Sequence, residues 1–137
     1  MRTVLAGLLI AATVSGASAE TVTYTVPLIG SNEVPPNDSR GTGTGRVTFD
    51  TATRRITWHV EYRDLTGPVI GMHFHGPSEP GKNAGIVLPF TGKLDSPVDG
   101  AATLTESQAA NFSAGGWYLN IHTGRHPGGE LRGQVVR

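Results

Sequence analysis

Apolar and polar residues alternate along most of this chain with a period of two, the spacing that is typical of half-buried β-strands. The clearest case is residues 56–62, where isoleucine, tryptophan, valine and tyrosine alternate with threonine, histidine and glutamate. Stretches rich in glycine, proline and asparagine separate such segments, as in residues 32–43 and 77–85. The same alternation predicts further strands over residues 22–28, 69–75, 86–90, 117–123 and 130–136, one that begins at Val47, and one over residues 101–104.

One segment breaks the alternation and predicts a short helix near residues 105–114. Its first residues, TESQ, match a capping box, in which Thr105 and Gln108 satisfy each other's backbone N–H groups. Gly115-Gly116 then ends the helix. Seven or eight short strands with frequent turns predict an all-β fold: an antiparallel Greek-key β-sandwich that carries this one helix.

The N-terminal residues 1–19 differ from the rest and predict a secretory signal peptide. Arg2 precedes an apolar run from Val4 to Val14, and Ala17-Ser18-Ala19 forms a small-residue cleavage site. The run is too short for a typical membrane anchor, although an uncleaved anchor is the alternative. We therefore expect one mature domain, residues 20–137, exported to the periplasm or the extracellular space, with no membrane insertion after cleavage.

Composition excludes several classes of function. The mature chain carries ten basic against eleven acidic residues, a net charge of −1 with neutral histidine, so it offers no electrostatic surface for nucleic acid. The absence of cysteine excludes disulfides, thiolate metal sites and cysteine nucleophiles. The sequence has no GxSxG elbow, no paired-carboxylate spacing and no phosphate-binding glycine loop. No catalytic residue is therefore assigned, and enzymatic activity stays open, with a binding role favoured.

Histidines supply the strongest candidate chemistry. His73 and His75 are separated by one residue in a predicted strand, so their rings share one face, opposite that of Met72 and Phe74. In the strand over residues 117–123, His122 likewise points away from the apolar face. If the two strands are neighbours, the three imidazoles meet on the outer surface or under a covering loop, where they would suit Cu(II) or Zn(II). The alternative is a solvated polar face without metal.

Several residues near the three histidines are weighed with them. His126, in the loop after His122, is a possible fourth ligand, whereas His59 lies on a different strand and is left out. Glu130, Asn120 and backbone carbonyls are candidate acceptors for the second nitrogen of each ring. The proline-rich loop NEVPP, residues 32–36, is interpreted as a rigid turn rather than a ligand-contacting segment.

Five segments follow one another along the chain: LIGSNEVPP (28–36), HFHGP (73–77), LTESQ (104–108), WYLNIHT (117–123) and HPGGELRGQV (126–135). Together they carry a resemblance to the CHRD domain, the module named after chordin and also found in bacterial secreted proteins. This resemblance implies an immunoglobulin-like or superoxide-dismutase-like β-sandwich over residues 20–137, and it implies little about activity. In chordin the domains belong to an extracellular antagonist of bone morphogenetic proteins, a role that is not carried over to this chain.

A weaker similarity to Cu,Zn superoxide dismutase implies copper ligation by His73, His75 and His122. The chain lacks that enzyme's bridging-histidine loop, its zinc cluster and its disulfide, so dismutase activity does not follow. We therefore expect an exported metal-binding protein with copper, or less favourably zinc, at His73, His75, His122 and His126. Copper ranks first because imidazole-rich sites bind Cu(II) more tightly than Zn(II). The alternative is a non-enzymatic extracellular module that binds a protein or a glycan and no metal.

Overall fold

The computed structural model describes Gly16 and residues 18–137. The predicted signal peptide lies almost entirely outside these residues and stays a prediction. These described residues form eight strands and one α-helix, with a single 3₁₀ turn at Gly30–Asn32. In chain order the elements are β1 (Thr21–Ile29), β2 (Thr42–Asp50), β3 (Arg55–Arg63), β4 (Val69–His75), β5 (Ile86–Pro89), β6 (Val98–Thr103), α1 (Glu106–Ser113), β7 (Tyr118–Thr123) and β8 (Leu131–Gln134).

The strands form one antiparallel sheet in the order β5-β4-β7-β8-β1-β2-β3-β6. The apolar positions of the alternating segments face the core. In β1, for example, Val22, Tyr24, Val26 and Leu28 are buried while the residues between them are exposed. Burying one face of each strand fixes the register, since a shift of one residue would turn the apolar set toward solvent. The predicted all-β antiparallel fold is confirmed.

The two halves of the sheet face each other across the core. Trp58 on β3 stacks on Phe90, which follows β5, with ring centroids 4.6 Å apart. It also meets Phe74 of β4 edge-on, with ring centroids 5.6 Å apart. Because β3 and β4 lie near opposite ends of the strand order, these rings can meet only if the sheet curls into a half-barrel. The arrangement is therefore sandwich-like, but its strands belong to one continuous sheet rather than to two separate ones.

The helix closes one end of this core. Thr105 caps α1 by accepting a hydrogen bond from the backbone of Gln108, whose side chain accepts one from the Thr105 backbone. The predicted capping box is thus confirmed. Phe112 on α1 is fully buried and packs against Tyr24 and Trp117, with ring centroids 5.1 and 5.3 Å away. None of the helices formed by residues 18–137 is long and apolar enough to cross a membrane.

Candidate metal centre

The two histidine-bearing strands are hydrogen-bonded neighbours. Strands β4 and β7 pair antiparallel, with His73 opposite Asn120 and Gly71 opposite His122. The apolar residues that alternate with the histidines, such as Phe74 and Ile121, are fully buried in the core. The histidines therefore lie together on the opposite face of the sheet, as the alternation predicts. The adjacency of the two strands, which the metal hypothesis requires, is present in the fold.

His73, His75 and His122, here called the imidazole group, come close enough to share one ion. Their candidate ligand nitrogens all lie within 4.8 Å of one another. The ring centroid of His73 is 5.5 Å from that of His75 and 4.8 Å from that of His122. Within the described part of the chain, His73 Nδ1, His75 Nε2 and His122 Nε2 are buried and have no hydrogen-bond partner. Each ring thus offers one free nitrogen at the same place.

Backbone carbonyls fix two of the rings. His75 Nδ1 lies 3.0 Å from the carbonyl oxygen of Ala84, and His122 Nδ1 lies 2.8 Å from that of Pro127. Because a carbonyl oxygen only accepts, each Nδ1 carries the proton and leaves a lone pair on Nε2. This is the second contact that histidine ligands of metals commonly make. Of the acceptors considered from the sequence, the carbonyls fill this role.

Two rings of the imidazole group, His73 and His75, are held neutral by their surroundings. Burial, together with the neighbouring His122 and His75 rings, lowers the pKa of His73 to about 4. Burial also lowers the pKa of His75, against the opposing effect of the Ala84 hydrogen bond. Neutral imidazole is the form that ligates a metal ion. Around neutral pH, these two rings therefore do not have to release a proton before they bind a metal ion.

Two loops cover the imidazole group, the β1–β2 loop and the β4–β5 loop, here called the two cover loops. Arg132 on β8 is buried and donates from Nη1 to Asn83 Oδ1 at 3.0 Å and from Nη2 to the Lys82 carbonyl at 2.6 Å. Asn83 in turn donates to the Val34 carbonyl of the other cover loop at 2.9 Å. Arg132 thereby fastens both loops over the polar face of the sheet.

A stack of three side chains links Arg132 to the imidazole group. The guanidinium carbon of Arg132 lies 3.5 Å from the ring centroid of Tyr118. The Tyr118 ring is parallel to that of His75, with centroids 4.8 Å apart. Cation–π and ring-stacking contacts of this kind favour a fixed ring orientation. Only 8% of the His75 surface remains exposed as a result.

Glu33 enters the site from the cover loop that the sequence interpretation treated as a rigid turn. It is 5% exposed and accepts a hydrogen bond from Asn120 Nδ2. Burial raises the pKa of Glu33 to about 7, against the nearby Arg132 charge and the Asn120 hydrogen bond, which lower it. The segment NEVPP has no apolar period that would mark Glu33 as buried, so the sequence carries no signal for this contact.

The remaining candidates lie elsewhere. His126 sits in the β7–β8 turn, where its backbone pairs with that of Thr123, and it is not part of the imidazole group. Glu130 is fully buried but bonds to Ser39, Thr66 and Thr123 rather than to a histidine ring. His59 bonds through Nδ1 to Asp99 at 2.6 Å on the exposed side of β3, apart from the site.

A family model for the CHRD domain matches residues 24–135 of this sequence. The chain belongs to the CHRD-domain family. CHRD domains occur in extracellular and secreted proteins. The match covers both histidine strands of this CHRD domain and the Glu33 loop. No curated protein and no solved structure matches the chain, so the similarity of the site to a dismutase copper site stays a sequence resemblance.

Proposed function

We propose that this CHRD-domain chain is an exported protein that binds one transition-metal ion through His73, His75 and His122, with copper favoured over zinc. The observation that carries the proposal is the convergence of three ring nitrogens within 4.8 Å, one from each histidine. The proposed ligand set leaves out His126. Export rests on the predicted signal peptide of residues 1–19 and on the occurrence of CHRD domains in secreted proteins.

The buried, unpartnered nitrogens of the imidazole group favour a bound cation on energetic grounds. A buried polar atom that lacks a partner costs about 1–3 kcal/mol of stability. The imidazole group has three such nitrogens, one on each ring, without a hydrogen-bond partner among residues 18–137. Two of the rings are fixed by carbonyls so that the free atom carries a lone pair. A single divalent ion would satisfy all three atoms at once.

The chemistry of the ligands favours a borderline divalent ion. Imidazole suits Cu(II) and Zn(II), whereas Mg²⁺ and Ca²⁺ take oxygen ligands. With equal ligands the order of affinities places Cu(II) above Zn(II). The chain has no cysteine or obvious nucleophile motif, so we propose binding rather than catalysis. Storage, buffering or delivery of the ion would require only the ligands.

Titration of the mature chain with Cu(II) and with Zn(II), against a competing chelator, tests this proposal. We expect one equivalent per chain, bound more tightly for Cu(II), and lost in each of His73→Ala, His75→Ala and His122→Ala. His59→Ala is the matched control because this ring lies on β3 and contacts Asp99 instead. It should keep the full equivalent, as should His126→Ala.

Two results would contradict the proposal. One is a wild-type chain without a saturable site for either ion. The other is a site that survives all three single substitutions. Either result would favour the alternative, in which the exposed loops of an extracellular module bind a protein or a glycan and the histidines serve only to pack the two cover loops.

A further inference from the structure

A fourth polar atom at the imidazole group lacks a partner among the described residues: the side-chain oxygen of Asn120. Asn120 is only 2% exposed. It lies on β7 directly opposite His73, and its side chain is on the same face as that of His122, two residues further along. Side chains directly opposite each other on paired strands are in contact range. The amide therefore lies beside His73, on the face of the sheet that carries the imidazole group.

The direction of the amide is fixed by its nitrogen. Asn120 Nδ2 donates to Glu33 Oε1 and, at 3.4 Å, more weakly to the carbonyl oxygen of Leu131. A backbone carbonyl can only accept, so the nitrogen rather than the oxygen must face Leu131. Gly129 makes room for this arrangement, because a Cβ atom there would overlap both Asn120 Nδ2 and Glu33 Oε1. The amide oxygen consequently points away from Glu33.

His75 offers this oxygen a lone pair rather than a proton. It follows His73, the residue opposite Asn120, on the same face of β4, and its Nε2 is likewise buried without a partner among the described residues. The proton of neutral His75, however, is on Nδ1 and is already donated to the Ala84 carbonyl. The Asn120 oxygen and the His75 Nε2 lone pair therefore have no proton between them. A cation would satisfy both acceptors, as it would the unpartnered nitrogens of the other two rings.

We infer that the Asn120 amide oxygen is a fourth ligand of the proposed metal ion, and that Glu33 is a positioning residue that aims it. This inference rests on the proposed metal function. Three imidazole nitrogens and one amide oxygen form a ligand set for a divalent ion, whereas Cu(I) prefers sulfur ligands. The site is therefore expected to bind Cu(II) in preference to Cu(I). One amide from β7 and one carboxyl from the β1–β2 loop thus add to the three histidines: Asn120 as a ligand and Glu33 as the residue that orients it.

Chelator-competition titration with Cu(II), combined with electron paramagnetic resonance of the bound ion, tests this inference on residues 20–137. Asn120→Ala removes the oxygen and should bind one Cu(II) at least about 10-fold more weakly, since even the loss of a group that only orients a ligand weakens a metal site about 10–100-fold. Its spectrum should show an altered parallel g value and hyperfine splitting. Asn111→Ala, on α1, is the matched control and should reproduce the wild-type affinity and spectrum.

A double variant separates ligation from folding. Glu33→Gln combined with Asn120→Asp exchanges the donor and the acceptor of the buried pair but keeps an oxygen aimed at the metal. It should bind Cu(II) at least as tightly as the wild type. Wild-type affinity and spectrum in Asn120→Ala would overturn the inference, as would a double variant no tighter than Asn120→Ala. A wild-type chain that binds no metal would contradict the proposed function as well, and this result differs from one in which the wild type binds Cu(II) and Asn120→Ala binds it equally tightly.

Discussion

Glu130→Gln tests how a fully buried carboxylate holds the β7–β8 turn against the rest of the fold. Its Oε1 accepts from Ser39 Oγ at 2.6 Å and from the Thr66 backbone N–H at 2.9 Å. Its Oε2 accepts from Thr66 Oγ1 at 2.9 Å and from Thr123 Oγ1 at 2.6 Å. Glutamine can keep all four contacts, because its nitrogen can face the two threonine hydroxyls, which rotate to accept. The substitution therefore removes the charge and little else.

The size of the effect follows from these four bonds. Hydrogen bonds to a charged group contribute about 1.5–3 kcal/mol, and those between neutral groups about 0.5–1.5 kcal/mol. Weakening each by about 1 kcal/mol gives about 4 kcal/mol, from which relief of the buried charge subtracts a part. We expect Glu130→Gln to lower the free energy of unfolding by about 2–4 kcal/mol at neutral pH. The exposed Glu79→Gln should change it by no more than about 0.5 kcal/mol.

The pH dependence of this stability difference provides an internal check on the argument. Burial alone would raise the pKa of Glu130, but the hydrogen bonds from Ser39, Thr123 and Thr66 together lower it below its ordinary value. A carboxyl with a lowered pKa in the folded state stabilises above its unfolded pKa, and that contribution is lost as the pH falls below it. The difference in unfolding free energy between wild type and Glu130→Gln, measured by urea unfolding, should therefore be smaller at about pH 3 than at neutral pH. A gap under about 1 kcal/mol at neutral pH, or one independent of pH, would refute the reasoning.

Two further changes probe the site and its surroundings. Gly129→Ala should lower the free energy of unfolding by about 1–3 kcal/mol in urea and should weaken Cu(II) binding. Alanine is strained at the φ of 130° found there, and its Cβ would overlap the side chains of Asn120 and Glu33. An unchanged Cu(II) affinity would contradict the role assigned to Asn120 and Glu33. Asp99→Asn should lower the pKa of His59 in a nuclear magnetic resonance titration, because the Asp99 hydrogen bond raises it; an unmoved pKa would mean that this bond does not persist in solution.

Local pattern was sufficient for the strands, the helix and the direction of the histidines. Alternation placed His73, His75 and His122 on the face opposite the core, and the capping box located α1, because both signals depend on residues a few positions apart. The pairing of β4 with β7, on which the metal hypothesis depends, could only be assumed, since no local sequence pattern indicates which strands are neighbours in a sheet. About forty residues, including two other strands and α1, separate the paired strands in the sequence.

Buried charged groups were the features that the sequence could not reveal. Glu33, Glu130 and Arg132 are each at most 5% exposed, although charged residues are almost always found on the surface. Each is buried because distant segments supply its partners, as when Ser39 and Thr66 reach the carboxylate of Glu130. Tertiary contacts thus decide whether a charged side chain is buried. The loops that provide these contacts show no apolar periodicity from which the burial could be predicted.

The placement of the imidazole group on paired strands decides what metal binding would do to the fold. The backbone positions of His73 and His122 are set by the β4–β7 ladder, whose other face carries the fully buried Phe74 and Leu119. The proposed ligands would thus be assembled before any ion binds, unlike those of a zinc finger, in which binding and folding are one process. An ion that binds only the folded chain should then add stability by mass action, about 2.7 kcal/mol at a free concentration a hundred times its Kd. That gain requires no new structure, so removing the metal should leave the chain folded. The difference in unfolding free energy between the metal-bound and metal-free chains should then depend only on the affinity for the ion.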